Sequence, residues 1–250
     1  MSAEAWEALR RSTQARIALG RAGHALPTDA VLDFQLAHAR ARDAIHRSWD
    51  IASFASSVAA RGWVPVIAST PVTSRVEYLK RPDLGRRLTD DSEQRLRSCH
   101  DPAIDVALIV TNGLSSTAMD RHGLPLLDAI VAALAAEGLG CGPICLVGNG
   151  RVALSDPVGA ALGARIAVMV VGERPGLSAD DSLGIYLTYA PGPGNTDAER
   201  NCISNVRPPA GLSYAAAARK LAYLARQALI LKLSGVGLKD DEPGFALPKP

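Results

Sequence analysis

From Asp101 onward, short apolar runs alternate with helical text, and this rhythm restricts the possible folds more than any other feature of the chain. Residues 105–111, 142–147 and 166–172 are apolar runs that end at Gly or Asn, and helical text over 124–137 separates the first two. Runs without polar alternation are what parallel strands look like when helices cover both faces of their sheet. A further strand is expected at 185–189, then a Pro/Gly loop and a long helix from Ser213 to about Leu233. The expected class is α/β, a doubly wound Rossmann-like domain over 101–250 preceded by a mainly helical segment over 1–100.

Within the first hundred residues, Pro27-Thr28-Asp29 reads as a helix start with Thr28 as N-cap. The Ala/Leu/Arg-rich text that follows contains no Pro as far as Arg61. Its arginines fit a solvated or subunit-facing side of that helix. Between Gly62 and Thr73, two prolines and several β-branched residues predict extended chain. Ser74-Arg-Val-Glu77 fits a capping box that opens a short helix ended by Pro82.

A chain of 250 residues that is 48% hydrophobic can bury a large core. Net charge is +2 and aromatics make up 4%, so neither a phosphate-binding field nor base-stacking platforms are indicated, and nucleic acid is not an expected partner. The opening residues carry acids where a secretory signal carries bases, and wholly apolar runs such as 166–171 are far short of the roughly 20 residues that span a bilayer. A cytoplasmic location without membrane association is expected. The four cysteines are Cys99, Cys141, Cys145 and Cys202; Cys141 and Cys145 have the wrong spacing for common redox or zinc motifs and read as buried thiols.

Two motifs compete for a ligand. Gly148-Asn-Gly150-Arg-Val-Ala153 follows a strand and matches G-x-G-x-x-A, with Glu173 about 20 residues further on, as a nicotinamide dinucleotide site requires. That site needs a helix to begin at the second glycine so that its N–H groups hold the pyrophosphate. Ser155-Asp156-Pro157 looks like the true helix start, which would leave the cradle missing. Asp120-Arg-His122-Gly-Leu-Pro125 approaches D-x-H-x-x-G, by which some cobalamin enzymes supply a histidine to cobalt, but Pro125 stands where the last glycine belongs and fits the first turn of a helix instead.

Three runs near the C-terminus, Val170-Val-Gly-Glu-Arg-Pro-Gly-Leu177, Arg200-Asn-Cys-Ile-Ser-Asn205 and Leu233-Ser-Gly-Val-Gly-Leu-Lys-Asp240, set polar turn residues beside apolar stretches. In order and wording they resemble the small subunit of adenosylcobalamin-dependent ethanolamine ammonia-lyase. The resemblance extends to Ala15-Arg-Ile-Ala-Leu-Gly-Arg-Ala-Gly-His-Ala-Leu-Pro-Thr28, Asp33-Phe-Gln-Leu-Ala-His-Ala-Arg-Ala-Arg-Asp43 and Arg81-Pro-Asp-Leu-Gly-Arg-Arg-Leu88, and so spans nearly the whole chain.

The resemblance implies that Val152, Glu173 and Cys202 contact adenosylcobalamin, with Glu173 accepting from corrin amides and Val152 meeting the macrocycle. It implies no catalytic residue and no metal ligand on this chain, because the substrate lies in a large subunit with which this chain forms a hetero-oligomer. In the family, cleavage of the Co–C bond starts the radical conversion of ethanolamine to acetaldehyde and ammonia, with dimethylbenzimidazole kept on cobalt. A bacterial microcompartment is a further location that the resemblance raises. Read without the resemblance, Glu173 would pair with Arg174 or cap a turn, Val152 would be core and Cys202 a buried thiol; Arg200, Asn201 and Asn205 would hold their loop by bonds to backbone. Asn112 departs from the family, which usually has Asp there. The alternatives are a free-standing NAD-dependent oxidoreductase and a non-catalytic binding subunit.

Overall fold

A computed structural model describes residues 3–242. Helices α1 (Ala3–Arg11), α2 (Thr28–His46) and α3 (Ile51–Ala59) come first, then strand β1 (Pro65–Ala68) and helices α4 (Arg75–Lys80) and α5 (Asp90–Ser98). Next are β2 (Val106–Thr111), α6 (Ser116–Ala136), β3 (Cys141–Val147), α7 (Ser155–Leu162) and β4 (Ile166–Gly172). The antiparallel strands β5 (Leu183–Tyr189) and β6 (Arg200–Val206) precede the last long helix, α8 (Tyr214–Leu231).

The class is mixed α/β. One six-stranded sheet runs in the order β1-β3-β2-β4-β5-β6. The first four strands are parallel to their neighbours, and β5 and β6 are added antiparallel. All six residues of β2 and all seven of β4 are buried, and period-two alternation divides them between two cores. Val106, Leu108, Val110, Val168 and Val170 pack with α3, α6 and α8 on one face. Ala107, Ile109, Ala167, Met169 and Val171 pack with α5 and α7 on the other. Each fully buried Leu, Ile or Val contributes about 1.5–3 kcal/mol relative to exposure, so the two-sided burial of β2 and β4 is the main source of the sheet's stability.

Residues 65–68 of the N-terminal segment belong to this sheet, where β1 pairs with β3 from Pro65↔Ile144 to Ala68↔Val147. Pro143 cannot donate to a ladder. It lies where the β2–β3 register shifts, just before the pairing with β1 begins at Ile144.

Several sequence expectations need correction. The helix opened by Pro27-Thr28-Asp29 ends at His46, and Asp50 starts α3 by accepting from the Ser53 N–H at 3.0 Å. Pro27, not Thr28, is the N-cap of α2. The proposed capping box is half formed: Ser74 Oγ accepts from the Glu77 N–H, but the Glu77 carboxylate reaches Thr73. Helix α6 starts at Ser116, capped by Ser115, so Pro125 is interior rather than in the first turn. The run 200–205 belongs to the strand β6, which its polar residues disguised because this edge strand buries only Arg200, Ile203 and Val206. Cys145 is buried, Cys141 and Cys99 are half-buried and Cys202 is exposed; burial pushes the Cys141 thiol up to about 11 and Cys145 up to about 12.

Candidate functional site

From β2 the chain moves through α6 to β3 on one side, then through α7 back past β2 to β4. The connections leave the C-terminal ends of β2 and β4 in opposite directions, and such a reversal opens a crevice. The cleft there has a volume of about 400 Å³; its walls include Tyr78, Arg151, Val152, Glu173, Arg174 and Tyr186.

The β2 exit crosses the β4 exit closely. Leu114 N–H donates to Gly172 O at 2.9 Å, and Gly113 has φ +48. A Cβ on Gly113 would strike the Val171 side chain and the Gly172 carbonyl, so this turn is restricted to glycine by both space and conformation.

The loop after β3 is fastened to its neighbours through its own amides. Asn149 N–H donates to Asn112 Oδ1 at 2.8 Å, Gly150 N–H to Thr111 Oγ1 at 2.9 Å, and Arg151 N–H to Gly85 O at 2.8 Å. A short turn over Val152–Leu154 follows, and α7 starts only at Ser155. A pyrophosphate cradle needs free amides at a helix N-terminus. Here three consecutive amides are occupied and the helix starts late, so the glycine motif does not form a dinucleotide site.

Val152 stands on the cleft wall and packs against the α5/α7 core. Glu173, on the same wall, ties the loops together: Ser182 Oγ donates to Oε2 at 2.6 Å, Ser204 Oγ to Oε1 at 2.5 Å, and the Asn205 N–H is shared between both oxygens at 3.2 and 3.3 Å. Glu173 thus binds hydroxyls and an amide, not Arg174. With three donors on about four lone-pair positions, it retains capacity for one more.

Cys202 is the cross-strand partner of Tyr186, which lines the cleft, and the two side chains are hydrogen-bonded. Desolvation raises the Cys202 thiol above its usual value, against the opposing effect of the Tyr186 bond. A protonated thiol is a poor nucleophile. The Tyr186 hydroxyl is raised as well, by burial and then by Cys202 and Glu173.

The three C-terminal runs meet in space. Glu173 joins the first to the second, and Asn201 joins the second to the third, donating to Leu238 O at 3.0 Å and accepting from the Gly235 N–H at 2.7 Å. Asn201 therefore makes the expected bonds to backbone. Arg200 instead makes a buried bidentate pair with Asp156, at 2.7 Å for each bond, and also donates to Thr188 Oγ1.

His122 contributes to a different cluster. Its Nδ1 meets Tyr214 Oη at 2.7 Å and its Nε2 meets Asp181 Oδ2 at 3.2 Å. The cleft lining contains no histidine. Asn112 uses both ends of its amide, since Nδ2 donates to Ser116 Oγ at 3.0 Å while Oδ1 accepts from Asn149.

Sequence reasoning missed Arg75, Tyr78 and Arg151. The Tyr78 ring has Arg75 at 4.8 Å and Arg151 at 4.1 Å from its centroid, and its hydroxyl donates to Gly150 O at 3.0 Å. These residues come from segments more than 70 positions apart, so no local pattern announces them.

The family model for ethanolamine ammonia-lyase light chain (EutC) matches residues 3–239. The chain belongs to the ethanolamine ammonia-lyase light chain family. Similar relatives named ethanolamine ammonia-lyase small subunit include one from Pseudomonas fluorescens, 54% identical over 94% of this chain and 87% of the relative. Another, from Azotobacter vinelandii, is 54% identical over 94% of this chain and 88% of the relative. A third, from Xanthomonas campestris pv. campestris, is 52% identical over 95% and 88%. No helix among the described residues is long and apolar enough to cross a membrane.

Proposed function

We propose that this chain is the small subunit of an ethanolamine ammonia-lyase and forms one wall of an adenosylcobalamin site that the large subunit completes. The observation that carries this reading is the cleft at the ends of β2, β3 and β4, where Val152, Glu173 and the Tyr186–Cys202 pair stand together. Helices on both faces and the reversal between β2 and β4 support a doubly wound, Rossmann-like description of this half of the fold.

The donor set suits the cofactor. Val152 offers an apolar edge to a macrocycle, and Glu173 offers a remaining acceptor position to a primary amide of the corrin rim. At about 400 Å³, the open cleft is too small to enclose a corrinoid, which fits a site shared between two chains. Bound adenosylcobalamin would supply radical chemistry through its weak carbon–cobalt bond. This chain's residues bind and orient the cofactor, and they exclude water from one side of it.

On this reading the first hundred residues provide subunit contacts. Leu32, Phe34 and Leu36 are exposed on α2, where a partner would cover them. A hetero-oligomer follows from the need for a large subunit.

Reconstitution tests the proposal. The chain alone should bind adenosylcobalamin weakly and deaminate no ethanolamine, and adding the large subunit should restore both properties. Ethanolamine deamination by the purified chain alone, or a reconstituted complex without corrinoid absorbance, would overturn it; nicotinamide absorbance after co-purification would favour an oxidoreductase.

A further inference from the structure

Arg75 and Arg151 flank the Tyr78 ring and have no counter-charge among the described residues. Neither guanidinium forms an ion pair with any carboxylate among the described residues; their side-chain bonds go to neutral oxygens. Arg75 donates from Nε to Ile45 O at 2.6 Å and from Nη1 to Gly113 O at 2.7 Å and Asn149 Oδ1 at 2.8 Å. Its Nη2 is buried without a partner. Arg151 makes one side-chain bond, from Nη2 to Tyr78 O at 2.8 Å, and its Nε is buried without a partner.

Two like charges stacked on one ring, half-buried and served only by neutral acceptors, are costly to a fold unless an anion arrives. Burial, followed by the charge of Arg151, holds Arg75 below its usual value despite the favourable effect of Tyr78. Of the two arginines, Arg151 lines the cleft. Glu173 lines it too, but its oxygens are directed to Ser182, Ser204 and Asn205.

We infer that Arg151, backed by Tyr78 and Arg75, is the receptor for a phosphate oxyanion of the bound corrinoid, the phosphodiester of its nucleotide arm. This rests on the cobalamin reading above. A planar guanidinium with an unused edge suits a phosphate oxygen, and the cation behind the ring adds to the field without needing contact. The neutral amides of the corrin rim and the cationic cobalt centre give no reason for two uncompensated cations, whereas the anionic arm does.

The test uses the complex of this chain with its large subunit and three probes: cyanocobalamin, cobinamide phosphate and cobinamide. The last two differ by the phosphate alone. Equilibrium dialysis read by corrinoid absorbance should show the wild-type complex binding cobinamide phosphate roughly ten- to a hundredfold more tightly than cobinamide. Arg151→Gln should remove most of that preference, weaken cyanocobalamin by a similar factor and leave cobinamide unchanged. Arg151→Lys, which keeps the charge and loses the fork, should retain part of the preference.

Equal wild-type affinity for cobinamide and its phosphate would overturn the assignment, and that comparison needs no variant to fold. So would an equal loss on both ligands in Arg151→Gln, or weaker association with the large subunit while ligand preference stays intact, which would give the counter-charge to a partner carboxylate. Failure of the wild-type complex to bind any of the three corrinoids would instead remove the cobalamin reading on which the inference stands.

Discussion

Glu173 and Ser204 are joined by a 2.5 Å hydrogen bond between the end of β4 and the edge strand β6, across the intervening strand β5. The same carboxylate takes Ser182 and the Asn205 N–H, so one side chain fixes the rim of the cleft before any ligand is present.

Substitution of Glu173 should therefore affect both stability and binding. Glu173→Ala is expected to cost about 1 kcal/mol, a modest value because Ser204 and Asn205 are exposed and water can replace the carboxylate. Glu173→Gln should weaken cobalamin binding by the reconstituted complex roughly ten- to a hundredfold, because one acceptor becomes a donor facing corrin amides. Urea unfolding and a corrinoid titration read the two effects separately. Unchanged affinity in both variants would take Glu173 out of the site.

Arg200 and Asp156 are each less than one-tenth exposed, and their double hydrogen bond ties β6 to the start of α7. Asp156→Ala should destabilise the chain by about 3 kcal/mol, since it leaves the buried guanidinium with only the exposed Asp197 as a charged partner, at 3.3 Å. Arg200→Met together with Asp156→Leu should cost much less than Asp156→Ala alone. Denaturant midpoints for both single variants and the double variant decide the matter, and a double variant that costs the sum of the two single changes would show that the pair is not coupled.

His122 should not ligate cobalt. Both ring nitrogens are committed, one to Tyr214 and one to Asp181. Electron paramagnetic resonance of the Co(II) form of the reconstituted complex, with its histidines isotopically labelled, should show no coupling to protein nitrogen. His122→Ala should leave the spectrum unchanged while lowering stability.

Strands β2 and β4 were readable because burial on both faces leaves no polar alternation to confuse the pattern. The start of α6 was not, because Pro125 resembles a first-turn residue, whereas the Ser115 cap lies ten residues earlier. The break at residues 47–50 was also hidden, since text without Pro or Gly conceals a helix end and only Asp50 marks the restart. Strand β6 sits at the edge, where polar side chains are permitted. Val152, Glu173 and Cys202 could be nominated only through the family resemblance. Glu173's ties to Ser182 and Ser204, and the Arg75–Tyr78–Arg151 stack, depend on contacts between distant segments that no spacing rule encodes.

Asp181 provides a pH test. Burial alone would raise its carboxyl, but the bonds to Arg121 and His122, together with Arg207, outweigh burial and hold it below its usual 3.8. A folded value below the unfolded one means that the stabilisation is present above the unfolded value and is lost as pH falls through the folded one. Stability should accordingly decline from about pH 5 to about pH 2, and Asp181→Asn should show a shallower decline over that range. Urea midpoints measured across the acid limb are the check, and parallel curves would assign the acid sensitivity to other carboxyls.

Asn112→Asp brings two effects into opposition. The buried amide now donates to Ser116 Oγ, whose own proton goes to Arg47 O at 2.8 Å. A carboxylate at position 112 would lose that donor and force Ser116 to abandon one partner, at a cost of about 1–2 kcal/mol. It would also place a negative charge beside Asn149, which accepts from Arg75, and so supply part of the missing counter-charge to the guanidinium stack. The expected result is a less stable chain whose complex discriminates less between cobinamide phosphate and cobinamide. Thermal unfolding and the same dialysis measurement separate the two effects: lower stability with full discrimination would mean that residue 112 lies outside the field felt by the bound phosphate.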